Sequence, residues 1–87
     1  MTETTLREVL LRLELQDARV DIDGSPRHWV AQISSPTFAS MEAHVRQSMV
    51  WTHLLKELPE SEAVEVEYVF TVTPDEIREM EQQLLAG

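Results

Sequence analysis

Apolar residues recur with two different periods along this chain, and the changes of period predict the order of its secondary-structure elements. Near the N-terminus, four apolar residues have the i, i+3, i+4, i+7 spacing of one helical face: Leu6, Val9, Leu10 and Leu13. Thr5 and Glu8 have the spacing of a capping box at the start of such a helix. The pattern predicts a first helix over about residues 5–14.

An alternating pattern follows and predicts a β-hairpin. Val20 and Ile22 fall on one face of residues 18–23, with charged residues on the other. Gly24 and Pro26 belong to a turn in which Gly24 can adopt a positive φ. Residues 28–34 are the return strand, so we expect a hairpin with a loop of about four or five residues.

A long helix is predicted over about residues 40–58. Ser40 is its expected cap, Glu42 lies in its first turn and Pro59 ends it. Its apolar positions are Met41, Val45, Met49, Trp51, Leu54, Leu55 and Leu58. The acidic residues 59–63 are predicted to form a loop.

The clearest strand covers residues 64–72, and the last helix begins directly after it. Its alternation predicts that Val66, Tyr68 and Phe70 are buried and that Glu65 and Glu67 share the other face. Thr73, with Pro74 and Glu76 after it, has the pattern of a helix start. The inner face of that last helix is predicted to consist of Ile77, Met80 and Leu84.

The element order is helix, strand, strand, helix, strand, helix, within one domain over residues 1–87. It predicts an α+β fold: a three-stranded sheet with helices packed on one face. The final strand follows a helical crossover, so it can lie parallel to strand 28–34, with which we expect it to pair.

Charge and composition narrow the functional classes. The 87 residues include 16 acidic and 7 basic side chains, for a net charge of −9, which disfavours nucleic-acid binding. The absence of Cys excludes a disulfide framework, a thiol nucleophile and a thiolate metal ligand from this chain. The N-terminus lacks the pattern of a signal peptide and no apolar stretch approaches the ~20 residues of a membrane span, so we expect a cytoplasmic protein.

Catalytic motifs are missing, and each candidate functional residue also has an interpretation as an ordinary structural or solvated side chain. Neither a GxSxG nor a GxGxxG pattern occurs, so the chain is not expected to be an enzyme. His28 lies beside the turn and is either a solvated side chain or a ligand. His44 and His53 are nine residues apart and share no helical face. Glu65 and Glu67 could hold a hard cation or act as acid and base, but a charged strand face that resists aggregation is the stronger interpretation.

Several ordered motifs resemble those of the BolA family, and together they cover nearly the whole chain. The segment LQDARVDIDGS (residues 15–25) looks like the family's first strand and loop, and HWVAQISSPTF (residues 28–38) looks like its His-aromatic strand ending in Phe. The intervals from His28 to Phe38 and from Phe38 to Trp51 match the family's spacing. The segment TPDE (residues 73–76) looks like the family's T-P-E-E.

This resemblance implies a class II KH-like α+β fold and a role without catalysis. Family members pair with monothiol glutaredoxins, share a [2Fe–2S] cluster with them and have been described as transcriptional and stress regulators. Two positions depart from the family: Glu65 stands where its last strand has a His, and Arg46 is the single basic residue left of its R-H-R segment. These departures weaken the expectation of cluster binding and of DNA binding, respectively.

The leading hypothesis is a BolA-like adaptor for a monothiol glutaredoxin or another iron–sulfur protein, in [2Fe–2S] cluster trafficking or iron and stress regulation. His28 is the expected metal ligand, and Glu65 takes the place of the missing second ligand. Trp29, a core or interface anchor by composition, and Arg46 are expected near the contact surface. The alternatives are a nucleic-acid-binding regulator and a diverged interaction domain that has lost the cluster.

Overall fold

One three-stranded sheet organises the chain, of which the computed structural model describes residues 1–86. The strands are β1 (Arg19–Ser25), β2 (His28–Ser34) and β3 (Val66–Val72), in the spatial order β1-β2-β3. β1 pairs antiparallel with β2, and β3 pairs parallel with β2. The predicted α+β fold, the hairpin and the parallel pairing of the final strand are therefore confirmed.

The helices fill the connections around this sheet. Before β1 lies α1 (Glu3–Leu11), and a 3₁₀ helix (Pro36–Ser40) follows β2. The crossover to β3 contains α2 (Ala43–Glu57) and α3 (Glu60–Ala63), and the chain ends in α4 (Pro74–Ala86). No helix within residues 1–86 combines the length and the hydropathy needed to cross a membrane.

A single hydrophobic core lies between the sheet and helices α1 and α2. α1 packs on β1, and α2 packs on β3. The fully buried side chains of this core are those of Leu6, Leu10, Ile33, Phe38, Val50, Leu54 and Val69. Burial of apolar area here is the main stabilising contribution to a domain of this size.

The hairpin turn is tighter than predicted. Only Pro26 and Arg27 separate β1 from β2, and Arg27 has φ +76°, as expected for the third residue of a type II turn after Pro. Gly24 has φ +109°, which confirms the expected positive φ. A Cβ atom at Gly24 would overlap the backbone oxygen of His28, so both the conformation and the space require glycine there.

A β-bulge changes the face that β3 presents to the core. Trp29 pairs with Val66, but Val30 pairs with Tyr68, so Glu67 is an extra residue of β3 that has no pairing residue on β2. Beyond the bulge, Val69 is buried while Tyr68 and Phe70 are exposed. The prediction that Tyr68 and Phe70 are buried is therefore wrong, because strict alternation cannot include an inserted residue.

Three further details of the predicted helices and loops differ from the structure. The hydroxyl of Thr2, not of Thr5, caps α1 by accepting from the amide of Thr5 at 3.1 Å. Ser40 ends the 3₁₀ helix instead of capping α2, which starts after Glu42 because Met41 is extended. Residues 59–63 are not a loop: Pro59 precedes the single turn of α3.

The start of α4 is as predicted, but its apolar face is not. The amide of Thr73 donates to Glu76 Oε1 at 2.8 Å, and the amide of Glu76 donates to Thr73 Oγ1 at 3.0 Å, which confirms the capping box. Met80 and Leu84 are exposed and Ile77 is only half-buried. The predicted inner face is wrong for Met80 and Leu84, because α4 is held to α2 by the ion pair between Glu76, in its first turn, and Arg46, and not by an apolar face along its length.

Candidate functional site

His28 and Glu67 form a side-chain pair at one end of the sheet. His28 is the first residue of β2 and is paired with Ser25 across the hairpin. Its Nδ1 lies 2.6 Å from Oε1 of Glu67, the bulged residue at the start of β3. The imidazole is 71% exposed, so the expected solvent accessibility of His28 is confirmed.

This contact defines which nitrogen of His28 is available. A carboxylate can only accept, so Nδ1 donates its hydrogen and the neutral ring keeps its lone pair on Nε2. A carboxylate behind the ring is the common arrangement for a histidine that ligates a metal, because it fixes the tautomer and the ring orientation. The pair can therefore offer one exposed, oriented imidazole nitrogen to a metal centre.

Glu65 makes contacts of its own, close to this pair. Its Oε1 accepts from the amide of Arg27 at 3.0 Å, and its Oε2 lies 3.5 Å from the amino group of Met1. The half-buried carboxylate holds the hairpin turn against the start of the chain. The structure thus pairs His28 with Glu67, while Glu65 is engaged in contacts other than with His28.

Trp29 lies in the hydrophobic core, on the helix-facing side of β2. It is buried beside Val66, and its indole nitrogen has no hydrogen-bond partner among the described residues. Trp29 was interpreted as either a core anchor or an interface anchor, and its burial supports the core anchor. It is not exposed for a partner, in contrast to the expected contact surface.

Arg46 is also buried, and its guanidinium is the centre of a polar network between α2, β3 and α4. It donates to Glu76 Oε1 at 2.8 Å, to the carbonyl of Thr71 at 3.2 Å and to the carbonyl of Met41 at 3.0 Å. It also lies 5.7 Å from the centre of the Phe38 ring. These contacts make Arg46 a structural residue and remove it from the expected contact surface.

The same network changes the acidity of Glu76. The hydrogen bond from Arg46, together with the one from the Thr73 amide, holds the pKa of Glu76 below its ordinary value. The ionised carboxylate is therefore the form that the fold favours.

The sequence contains a signal for Arg46 that the predicted apolar stripe concealed. Arg46 is spaced by four from Val50, and Val50 by four from Leu54, so the three occupy the buried face of α2. Val45, from the predicted stripe, is exposed. Glu67 was missed as the partner of His28 because residue pattern alone does not reveal the bulge.

The other two histidines lie apart from this site. His44 is exposed on α2 with its Nδ1 3.4 Å from Glu42 Oε2, and Nε2 of His53 lies 2.6 Å from the carbonyl oxygen of Val9. Within residues 1–86, no group of three His, Asp or Glu side chains is arranged to hold a metal ion. A metal centre at His28 would need most of its ligands from a partner.

Comparison with known proteins finds a similarity among solved structures. No family model matches the chain, and no curated protein matches it. Among solved structures, the chain is similar to the XC975 protein, which was studied in solution. The two are 31% identical, with 77% of this chain and 82% of that chain covered and a TM-score of 0.48.

Proposed function

We propose that this chain is a non-catalytic, BolA-like adaptor that binds a monothiol glutaredoxin and takes part in [2Fe–2S] cluster trafficking. The observation that carries the proposal is the exposed imidazole of His28, held through Nδ1 by Glu67 at 2.6 Å. It is an oriented nitrogen ligand at the position where the resemblance expects one. The element order and the parallel pairing of β3 with β2 agree with the fold that the resemblance implies.

The donor set fits a shared centre and does not fit one held by this chain alone. The chain has no Cys, and the iron of such clusters is held mainly by thiolates, with histidine as the known nitrogen alternative. His28 therefore contributes one ligand at most. The partner supplies the thiolates, and the cluster is cargo that passes between the two proteins.

Glu67, rather than Glu65, is the carboxylate that assists His28 in this proposal. Glu67 touches the imidazole, whereas both oxygens of Glu65 are engaged with the Arg27 amide and the amino group of Met1. Glu67 would keep the Nε2 lone pair of His28 directed outwards. Glu65 would act indirectly, by holding the turn that precedes His28.

Mixing with a [2Fe–2S]-loaded monothiol glutaredoxin, followed by visible circular dichroism, tests this function. We expect the wild-type chain to change the spectrum and His28→Ala to abolish that change. His44→Ala is a matched control, because His44 is 78% exposed against 71% for His28 and also lies beside a glutamate. An exposed substitution of this kind costs little stability, which far-ultraviolet circular dichroism can verify.

The two contrary outcomes have different meanings. If His28→Ala gives the same spectral change as the wild type, His28 is not a ligand and the cluster-sharing function is refuted. If the wild type gives no change, the diverged interaction domain is the better account of the chain.

A further inference from the structure

The face of the sheet turned away from α1 and α2 carries an exposed aromatic pair. Tyr68 and Phe70 are 46% and 49% exposed, although residues of their size usually bury more of their surface. Their ring centres are 4.6 Å apart, with an angle of 58° between the ring planes. The bulge at Glu67 is what turns both rings outwards, so the exposure follows from a defined feature of the sheet.

The strand register places both rings in one surface, which we call the open face. Tyr68 lies beside Val30 and Phe70 beside Gln32 on β2, and these in turn lie opposite Asp23 and Asp21 on β1. A shallow groove of about 330 Å³ runs here, lined by both aspartates and by Phe70 among others. The open face is thus apolar along β3 and acidic along β1.

The two aspartates are available for a partner's charge. Among the described residues, no basic group lies within 4.0 Å of either carboxylate, and both side chains belong to exposed residues. Arg19 is on the same side of β1, two residues from Asp21 and at the opposite end of the strand from Asp23. The chain as a whole carries a net charge of −9, which adds to the negative field over this surface.

We propose that the open face docks a cationic segment of a protein partner. Arg or Lys side chains of that segment would stack on Tyr68 and Phe70 and form ion pairs with Asp21 and Asp23. Guanidinium and ammonium groups are attracted both to the faces of aromatic rings and to carboxylates, so one cation type satisfies both halves of the surface. This inference goes beyond the adaptor function and does not depend on a cluster.

Two other occupants fit the same surface less well. Stacked bases would suit the rings, but the phosphates that accompany them would be repelled by Asp21 and Asp23. A second copy of the chain would bring the same acidic groups against these aspartates if the faces met symmetrically. Charge complementarity therefore favours the cationic protein segment.

A short acetylated peptide of alternating Arg and Val is a suitable probe, with the same peptide carrying Glu in place of Arg as its control. We expect the Arg peptide to shift the NMR amide signals of β1, β2 and β3, and the Glu peptide to leave them unchanged. Phe70→Ala and the double variant Asp21→Asn with Asp23→Asn should each weaken binding about threefold to tenfold.

Matched substitutions outside the open face test whether the Arg peptide binds at that face or is attracted to the acidic protein in general. Leu55→Ala removes another exposed apolar side chain, and Glu79→Gln with Glu81→Gln removes the same charge from α4. Both controls should bind the Arg peptide like the wild type. Equal weakening by both charge-removing pairs, shifts confined to α4, or displacement of the peptide by single-stranded RNA would overturn the proposal. Self-association through the open face, detected by sedimentation, would also overturn it.

Discussion

The guanidinium of Arg46 holds the carboxylate of Glu76 at both of its oxygens, with Nη1 2.8 Å from Oε1 and Nη2 3.3 Å from Oε2. Glu76 is at the same time the acidic member of the capping box of α4, whose Oε1 accepts from the Thr73 amide. A single side chain from α2 therefore ties the first turn of α4 to the end of β3. A paired Arg of this kind suits a planar, two-oxygen contact better than Lys would.

Replacing Arg46 should destabilise the protein strongly. Arg46→Ala removes a buried cation, two hydrogen bonds to backbone carbonyls and the ion pair with Glu76. We expect a loss of about 2–3 kcal/mol in the free energy of unfolding, measured by urea denaturation. Arg78→Ala is the control, since Arg78 is exposed and pairs with Asp75 alone among the described residues, and it should cost less than about 0.5 kcal/mol. Equal losses would contradict the role given to Arg46.

Glu76 should make the stability depend on pH in a defined direction. Its pKa is lowered, first by the Arg46 hydrogen bond, so its ionised form stabilises the fold. That contribution is complete above the ordinary Glu pKa of about 4.3 and is lost as the pH falls through the lowered value in the folded state. The side chain is 41% exposed, so solvent screening limits the contribution to about 0.5–1 kcal/mol.

Glu76→Gln isolates this effect, because glutamine can still serve in a capping box. The free energies of unfolding of the wild type and the variant should differ near pH 7 and converge in acidic solution, below the lowered pKa of Glu76. A difference that stays the same at both pH values would show that the charge of Glu76 is not its source.

Gly24→Ala should disturb the site as well as the fold. The positive φ of Gly24 is strained for alanine, and the added Cβ would overlap the backbone oxygen of His28. We expect a loss of at least about 2 kcal/mol in the free energy of unfolding, together with changed NMR shifts at His28 and Glu67. Ser25→Ala, next along the same turn, should leave both nearly unchanged. A fully stable Gly24→Ala protein would contradict the tight approach of β1 to β2.

The sequence predicted the order of elements because the periods of two and 3.6 are clear over most of the chain. It predicted the capping box of α4 because Thr73 and Glu76 are local to each other. The faces of β3 beyond Val66 could not be predicted in the same way. One inserted residue, Glu67, exchanges them, and the insertion is visible only in the pairing of β3 with β2.

The site was predictable only in part, for the same reason. The exposure of His28 follows from its place beside the turn, but its contact with Glu67 joins residues 39 positions apart in the chain. The resemblance places Arg46 in the family's basic segment, and the expectation that it lies near the contact surface depends on that match alone. Its burial depends on Glu76, Thr71 and Met41 meeting at one point, which no local pattern encodes.

Nucleic acid should bind weakly. With 7 basic residues against 16 acidic ones, and with Arg46 buried in an ion pair, few cations remain to replace the counterions of a phosphate backbone. Fluorescence anisotropy with duplex DNA and with single-stranded RNA should detect only weak, non-specific association at physiological salt. Submicromolar binding with a steep salt dependence would instead support the regulator alternative.

Direct detection of a His28 nitrogen at the iron tests the adaptor function most sharply. The chain would be labelled at histidine with the heavy nitrogen isotope, mixed with unlabelled [2Fe–2S]-loaded monothiol glutaredoxin, reduced and examined by pulsed electron paramagnetic resonance. We predict a coupling from labelled nitrogen that persists in His44→Ala and disappears in His28→Ala. A mixture that forms a complex but shows no labelled-nitrogen coupling, or one whose coupling survives in His28→Ala, would contradict the account.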